Sequence, residues 1–262
     1  MTGFCRSYAV LQFRDLKQFK RMNLVIELQY FPSIYSISCL IKSTHVDFML
    51  FDSWQRRSFR NRMVLATANG MQSLSIPIDG GRNQRALYRD IRIEYQGDWQ
   101  IRHWRSIFSA YGKSPWFFQY ADSLEAVYRH RDQFLVDWNV RCLHWVSSAL
   151  RLSPGAPLVL ALGNPDAGWG KHPHDAAAVR LPGLPLSTGQ DIAPEQGPLI
   201  DLSNQVTPAN FQDARFGPFP RYPQVFEERW GFQPNLSVLD LIFCCGPGAP
   251  ALLEQVSTPV DH

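Results

Sequence analysis

The sequence lacks the features that mark membrane, secreted and metal-binding proteins. It has no run of about 18 apolar residues, the length that a transmembrane helix requires. No charged segment leads into an apolar stretch near the N-terminus, so no secretory signal is predicted. P-loop, GxGxxG, GxSxG, HExxH and zinc-finger spacings are all missing. These absences predict a cytoplasmic protein with no transmembrane segment, no metal and no cofactor.

Cysteine and lysine are both scarce. The five cysteines (Cys5, Cys39, Cys142, Cys244 and Cys245) have no CxxC spacing, so a zinc site is not expected and free thiols are. Of the 26 cationic residues five are lysines, and the rest are arginines. Arginine is the planar donor suited to carboxylate and phosphate groups. The sequence therefore favours specific anion contacts over a lysine-rich surface.

Charge is distributed unevenly along the chain. Residues 1–151 hold 21 Lys+Arg and 12 Asp+Glu, whereas residues 152–262 hold 5 and 11. The basic part is suited either to an anionic ligand or to docking against the acidic part, and docking is the simpler interpretation. No Lys/Arg block resembles a nucleic-acid-binding arm, so no nucleic-acid partner is predicted.

Periodic patterns predict both helices and strands. Asn69-Gly70 separates the apolar runs Met63–Ala68 and Met71–Ile78, which predicts a hairpin because both turn residues tolerate positive φ. Helical spacing is clearest in Asp98–Gly112 and Gln133–Leu152. The other predicted elements are strands at Asn23–Leu28, Val46–Phe51, Ile91–Tyr95 and Leu158–Leu162 and helices at Ser33–Ser43, Phe117–Arg129 and Pro234–Cys245.

These elements predict an α/β fold: a single domain with a small mixed sheet and flanking helices, plus a Pro/Gly-rich irregular segment. That segment is 153–220, with 11 Pro and 8 Gly in 68 residues. Residues 1–21 are polar and aperiodic, so we expect an N-terminal extension. The domain is expected to cover 22–250, followed by a C-terminal tail at 251–262.

Five positions are candidates for chemistry on residue type alone: Arg60, Arg62, His103, Lys113 and Asp240. Arg60 and Arg62, in a loop after a predicted strand, are suited to hold an anion or else form a solvated surface. His103 lies on the buried face of a predicted helix, where it is either a neutral core residue or a general acid or base. Lys113 follows that helix and is suited to a phosphate or carboxylate.

Asp240 lies between Leu239 and Leu241 on an apolar helix. Burying an unpaired charge is very costly, so the carboxylate requires a partner, and an arginine from the basic half is expected. A structural ion pair is the first interpretation and a catalytic carboxylate the second. The His172-Pro173-His174 triplet lies in the irregular segment and is not expected to bind a metal.

The sequence resembles the WbqC-like family of bacterial proteins. The resemblance is carried, in order along the chain, by the segments Gln29-Tyr30-Phe31-Pro32, Ser58-Phe59-Arg60-Asn61-Arg62, Asn69-Gly70, Ser75-Ile76-Pro77-Ile78, His103-Trp104, Ala110–Phe117, Gln224–Glu227, Pro234–Leu241 and Gly246-Pro247. Many relatives begin with a His-Gln-Pro-Asn-Tyr type of motif, and here Glu27-Leu28-Gln29-Tyr30 stands instead, without the histidine.

The resemblance implies a role in bacterial surface-polysaccharide biosynthesis, such as that of O-antigen. We expect a transferase of the acyl or aminoacyl type that modifies a nucleotide- or lipid-linked amino sugar. His103 would be its catalytic residue, and Tyr30, Arg60, Asn61, Arg62, Lys113 and Asp240 would bind this anionic sugar conjugate. The alternative is a non-catalytic scaffold or binding protein of a polysaccharide biosynthetic assembly. An enzyme requires His103 and an arginine beside one concave pocket.

Overall fold

The computed structural model describes residues 23–43, 45–80, 85–152, 159–161 and 199–259. The predicted extension at 1–21 and the His172-Pro173-His174 triplet lie outside these ranges. Helices and strands both occur in the described residues, so the predicted α/β class is confirmed. Parallel and antiparallel pairing are both present, in two separate sheets.

The larger sheet is parallel and four-stranded. Its strands are β1 (Asn23–Ile26), β2 (His45–Phe48), β5 (Val159–Ala161) and β6 (Leu199–Asp201), in the spatial order β5-β2-β1-β6. All four strands run in the same direction, so their carboxyl ends lie along one edge of the sheet. In parallel α/β sheets this is the edge at which ligands bind.

The smaller sheet is an antiparallel hairpin of β3 (Arg62–Thr67) and β4 (Gly70–Ser75). The predicted hairpin is present, but its two turn residues are Ala68 and Asn69, because Thr67 pairs with Gly70. Gly70, with a φ of 99°, follows the turn and begins β4. Residues other than glycine rarely adopt this backbone conformation, which explains why glycine stands directly after the turn.

The helices surround a buried central helix. This helix is α6 (Val238–Cys245), and seven of its eight residues are buried. The remaining helices are α1 (Ile34–Lys42), α2 (Trp99–Tyr111), α3 (Phe117–Tyr128), α4 (Leu135–Ala149), α5 (Glu227–Trp230) and α7 (Ala249–Glu254). Helix α6 contacts α1, α3, α4, α7 and β3. A helix that is apolar on all sides is stable only when other elements cover it in this way.

Two local predictions were wrong. Ile91–Tyr95 is not a strand: Arg92 and Ile93 each form an isolated bridge, because Ile93 pairs with Ile78 while Arg92 pairs with Phe134. The helix predicted at Pro234–Cys245 begins only at Val238, and its N-cap is Ser237, whose hydroxyl accepts the N–H of Leu239 at 3.4 Å. Asn235 accepts the backbone N–H of Tyr35 at 2.8 Å, and so joins the start of α1 to the loop before this helix.

The domain boundary expected at residue 250 lies inside α7. This helix packs against α1, and Leu253 and the following Val256 are fully buried. Lys42 of α1 donates to the carbonyl of Val256 at 2.6 Å. The packed domain therefore continues beyond the predicted boundary.

Replacing Leu253 by alanine should lower the free energy of unfolding by about 2–5 kcal/mol, because it leaves a cavity between α7 and the core. Denaturant unfolding measures the loss. Leu252→Ala is the matched control, since Leu252 is only partly buried and should cost less. Equal, small losses for both variants would show that α7 contributes nothing to the packed domain.

Candidate functional site

Polar side chains converge where three strands of the parallel sheet end. Glu27 and Gln29 follow β1, Asp52 follows β2 and Asn204 follows β6. Arg60, from the loop between β2 and β3, lies among them. We call these five residues the sheet-edge cluster. They occupy the edge at which parallel α/β sheets bind ligands.

Arg60 is the centre of the cluster and its side chain is completely buried. Its guanidinium donates to Asp52 Oδ2 at 3.1 Å, to the carbonyl of Ser53 at 3.0 Å and to Asn204 Oδ1 at 3.3 Å. It also lies over the ring of Tyr88, 5.0 Å from the centroid. A buried charge requires such partners, so Arg60 serves to hold the strand ends together.

Glu27 is the second buried charged group of the cluster. Its two carboxylate oxygens accept the side-chain amide of Gln29 at 2.9 Å and the backbone N–H of Asn204 at 3.0 Å. Burial raises the pKa of Glu27, although these hydrogen bonds and the charge of Arg60 oppose the rise. Asn204 has a φ of 56°, a conformation that asparagine tolerates better than most residues.

The cluster opens to solvent on one side. The side chain of Asp52 is 27% exposed, and Asn204 is exposed as well. Within the described ranges, Asp52 Oδ1 has no hydrogen-bond partner, and neither have the buried atoms Arg60 Nε, Gln29 Oε1 and Trp54 Nε1. The cluster thus combines three buried residues, Glu27, Gln29 and Arg60, with the partly exposed carboxylate of Asp52 and the exposed amide of Asn204.

His103 lies in a different cluster, with Tyr30 and Tyr128. Its Nδ1 is 3.0 Å from the hydroxyl of Tyr30, which is 2.5 Å from the hydroxyl of Tyr128. The imidazole also bonds to the backbone of Ser75. Since a carbonyl only accepts, we assign the ring proton to the nitrogen that faces Ser75, so that Nδ1 accepts from Tyr30.

This tyrosine–histidine cluster is sealed in the core. His103 is 6% exposed, and Tyr30 and Tyr128 are buried. Burial, and then the charge of Arg102, lower the pKa of His103 to about 4, so the ring is neutral at pH 7. A cleft does lie between α2 and the tip of the hairpin, but its lining comes from other α2 residues, including Arg105, Ser106 and Ser109.

The predicted Arg60-Asn61-Arg62 site is not formed as one clamp. Arg60 points into the sheet-edge cluster, whereas Arg62 begins β3 and donates to Ser75 Oγ at 3.0 Å on the exposed hairpin. Asn61 donates to the carbonyl of Ile76 at 2.8 Å and fixes the base of the hairpin. Lys113 is exposed in the turn after α2 and takes no part in the contacts of Arg60, Asn61 and Arg62 given above.

Asp240 is completely buried, but its expected arginine partner is absent from the described contacts. Its carboxylate accepts the hydroxyls of Tyr111 at 2.9 Å and Tyr222 at 2.6 Å, and the side-chain amide of Gln224 at 3.0 Å. Burial raises the pKa of Asp240 above its usual value, against the effect of these three hydrogen bonds. Neutral donors thus satisfy the carboxylate in place of an ion pair.

The comparisons with known proteins support the family resemblance found in the sequence. A model of the WbqC-like protein family matches residues 28–166. The chain belongs to the WbqC-like family. The uncharacterized protein Rv1507c of Mycobacterium tuberculosis is 27% identical over 223 residues, which cover 79% of this chain and 87% of the relative. No solved structure matches this chain.

In this WbqC-like protein the family match includes Gln29, Asp52 and Arg60, while Glu27 and Asn204 lie outside it. Sequence reasoning selected Arg60 but missed the other four members of the sheet-edge cluster. The available signal was position, because Glu27 and Gln29 follow a predicted strand directly and Asp52 follows the next one. Asn204 carried no such signal, since β6 was not predicted.

The described residues contain no group of three or more His, Cys, Asp or Glu side chains arranged to hold a metal ion. Nor does any described helix combine the length and the apolar character needed to cross a membrane.

His103 should make the WbqC-like protein less stable in acid. Its native pKa of about 4 lies below the unfolded value of 6.5, so the unfolded chain binds the proton more readily and stability falls as the pH drops from 6.5 to 4. The lost stability should approach about 3 kcal/mol. His103→Gln removes this titration, so its free energy of unfolding should fall less over that range.

Denaturant titrations at several pH values measure this difference. His130→Gln is the matched control, because His130 is exposed and its replacement should leave the pH dependence of the wild type unchanged. Parallel curves for wild type and His103→Gln would contradict the assignment of a buried, neutral His103.

Asp240→Asn should lower the free energy of unfolding by about 1–3 kcal/mol, because one of the three donors then faces an amide N–H₂ group. Thermal and denaturant unfolding measure the loss. Asp213→Asn is the control: that carboxylate is exposed beside Arg215, and its replacement should change stability by less than about 0.5 kcal/mol. Equal effects would show that the hydrogen bonds of Asp240 are not formed in solution.

Proposed function

We propose that this WbqC-like protein binds a sugar conjugate at the sheet-edge cluster and transfers an acyl or aminoacyl group to its amine. The observation that carries the proposal is the exposed pair of Asp52 and Asn204 above the buried Glu27, Gln29 and Arg60. Family membership supports a role in bacterial surface-polysaccharide biosynthesis, including that of O-antigen, in the cytoplasm.

The free oxygen of Asp52 determines which part of the ligand it contacts. Arg60 holds Oδ2 and leaves Oδ1 without a partner among the described residues. An ionised carboxylate only accepts hydrogen bonds, so its ligand must donate, as the amine and hydroxyl groups of an amino sugar do. Asn204 lies beside this carboxylate. Its amide oxygen accepts from Arg60 and one N–H contacts Asp52 Oδ2 at 3.5 Å, so its second N–H is the group left to donate to a ligand.

The phosphate of a nucleotide- or lipid-linked sugar requires a different contact. The guanidinium of Arg60 is already bonded to Asp52, Ser53 and Asn204, so it has little capacity left for an anion. Arg56 and Arg57 are exposed on the same loop after β2. We assign the phosphate to these two residues, in place of the predicted Arg60 and Arg62.

The transfer itself needs an activated acyl ester or thioester as the second substrate. The amine nitrogen attacks the acyl carbonyl, a C–N bond forms and the bond to the leaving group breaks. Asp52 Oδ1 takes the proton that the amine loses and returns it to the leaving oxygen or sulfur. His103 has no part in this step, because it is sealed in the tyrosine–histidine cluster.

A binding protein without catalysis is the second candidate. The criterion drawn from the sequence favours it, because His103 is sealed in the core in a different cluster from Arg60. An enzyme therefore requires Asp52 as its base in place of His103. The sheet-edge cluster then serves to retain the sugar conjugate for another enzyme of the same assembly. Both candidates use the same site, and they differ in whether a product forms.

Incubation with a panel of nucleotide-linked amino sugars and acyl or aminoacyl donors, followed by mass spectrometry, tests the proposal. The wild type should add one acyl or aminoacyl group, and Asp52→Asn should lower this rate by roughly 100-fold or more, the contribution typical of a general base. Asp90→Asn, a carboxylate beside Arg89 on the surface, should keep the wild-type rate.

Binding measured in parallel by thermal shift separates the two candidates. Sugar binding without product in the wild type, weakened by Asp52→Asn, would support the binding protein. Full activity in a folded Asp52→Asn variant would contradict the sheet-edge site. A thermal unfolding curve of each variant without ligand shows whether the fold survives the loss of the Asp52–Arg60 pair.

A further inference from the structure

Exposed apolar side chains are concentrated on α2 and the start of α3. Ile101 is 48% exposed, Phe108 49% and Phe118 72%, and the half-buried Trp104 lies beside them. Ring contacts make these aromatic residues continuous. Trp104 and Phe108 are 6.3 Å apart, both contact the ring of Phe117, and Phe117 contacts Phe118 at 5.6 Å. We call Ile101, Trp104, Phe108 and Phe118 the aromatic face.

The spacing along α2 shows that this face is separate from the core. Ile101, Trp104 and Phe108 follow each other at three and four residues, so they share one side of the helix. The core-facing side carries His103, Ile107 and other buried residues. The helix is therefore apolar on two sides, whereas an ordinary surface helix is apolar on one.

Cations border the aromatic face. Arg105 lies one turn after Ile101 on the same side of α2, Arg102 is also exposed on this helix, and Lys113 is exposed in the turn that leads to α3. Two exposed acids also lie near the face: Asp98, one turn before Ile101, and Asp122, one turn after Phe118 on α3. The three cations near the face therefore outnumber its two carboxylates.

The charge around the face distinguishes between its possible occupants. In a symmetric dimer formed through this face, each copy would bring the same three cations toward the other, which is unfavourable. An anionic bilayer matches both properties, because its headgroups pair with arginine and lysine while aromatic rings enter the boundary of the acyl chains. A helix of 13 residues such as α2 fits parallel to that surface.

We propose that the aromatic face docks this protein on the surface of an anionic lipid bilayer. Phe108 and Phe118 enter the headgroup boundary, and Arg102, Arg105 and Lys113 contact the lipid phosphates. The inference is independent of the proposed transferase, since it rests on α2 and α3 and its test requires no sugar.

Vesicle cosedimentation of the full chain tests the proposal. The wild type should bind phosphatidylcholine vesicles that contain phosphatidylglycerol, and should bind phosphatidylcholine alone at least roughly tenfold more weakly. The double variant Phe108→Ser with Phe118→Ser should lose roughly tenfold or more of the affinity for the anionic vesicles. Leu199→Ser, a residue 67% exposed on β6, is the matched control and should bind as the wild type does.

A second pair of variants tests the cations. Arg102→Gln with Arg105→Gln should weaken binding to anionic vesicles by roughly tenfold, and high salt should abolish the difference from wild type. Arg215→Gln with Arg221→Gln removes the same charge from another exposed surface and should have a smaller effect. Thermal unfolding confirms that each variant is folded.

Three outcomes would overturn the proposal. They are equal binding by wild type and the two-phenylalanine variant, equal binding to neutral and anionic vesicles, and self-association of the wild type without lipid that this variant abolishes. The last outcome, seen by analytical ultracentrifugation, would assign the face to a second copy of the chain.

Discussion

The buried guanidinium of Arg60 is the contact on which the edge of the parallel sheet depends. A charge removed from water must be compensated within the protein, and Arg60 takes its partners from the loops after two strands, Asp52 and Ser53 after β2 and Asn204 after β6. Glu27, which follows β1, adds a carboxylate close enough for the charge of Arg60 to affect its pKa. One side chain thus determines where three loops must lie.

The backbone of Arg60 also connects the sheet edge to the helices. Asn139 of α4 donates to the carbonyl of Arg60 and to the hydroxyl of Tyr88, each at 2.6 Å. Tyr88 in turn donates to the carbonyl of Leu28 at 2.6 Å. Hydrogen bonds of this kind in a buried, low-dielectric region fix the side chains in one arrangement. Asp52 is therefore presented to solvent from a preorganised support.

Local features of the fold were predictable from the sequence, and distant ones were not. The hairpin at Asn69-Gly70 and the helix that begins near Trp99 follow from turn chemistry and from periodicity within a few residues. Asn204, which accepts from Arg60, and Tyr111, which donates to Asp240, come from distant parts of the chain, where no pattern in one sequence indicates a contact. The burial of Asp240 correctly indicated that its carboxylate has partners. Residue type could not show that these partners are tyrosine hydroxyls and an amide in place of an arginine.

The candidate site shows the same limit in another form. A basic loop and a histidine on an apolar face were chosen by residue type, yet the histidine is enclosed and the loop arginine holds the fold together. Glu27, Asp52 and Asn204 were passed over because ordinary acidic and amide residues carry no motif. Only the parallel pairing of β1 with β2 and β6 shows that their loops meet.

The order of strands in the parallel sheet also has consequences for how the chain folds. β1 lies between β2, which follows it closely, and β6, whose first residue Leu199 pairs with Asn23. Pairing Leu199 with Asn23 closes a long loop of the chain, and this closure carries an entropic cost. The β3–β4 hairpin, by contrast, requires only a two-residue turn. We therefore expect the edge that holds the sheet-edge cluster to form after the hairpin and the helices. During synthesis on the ribosome, β1 must wait for most of the chain to emerge before its last neighbour arrives.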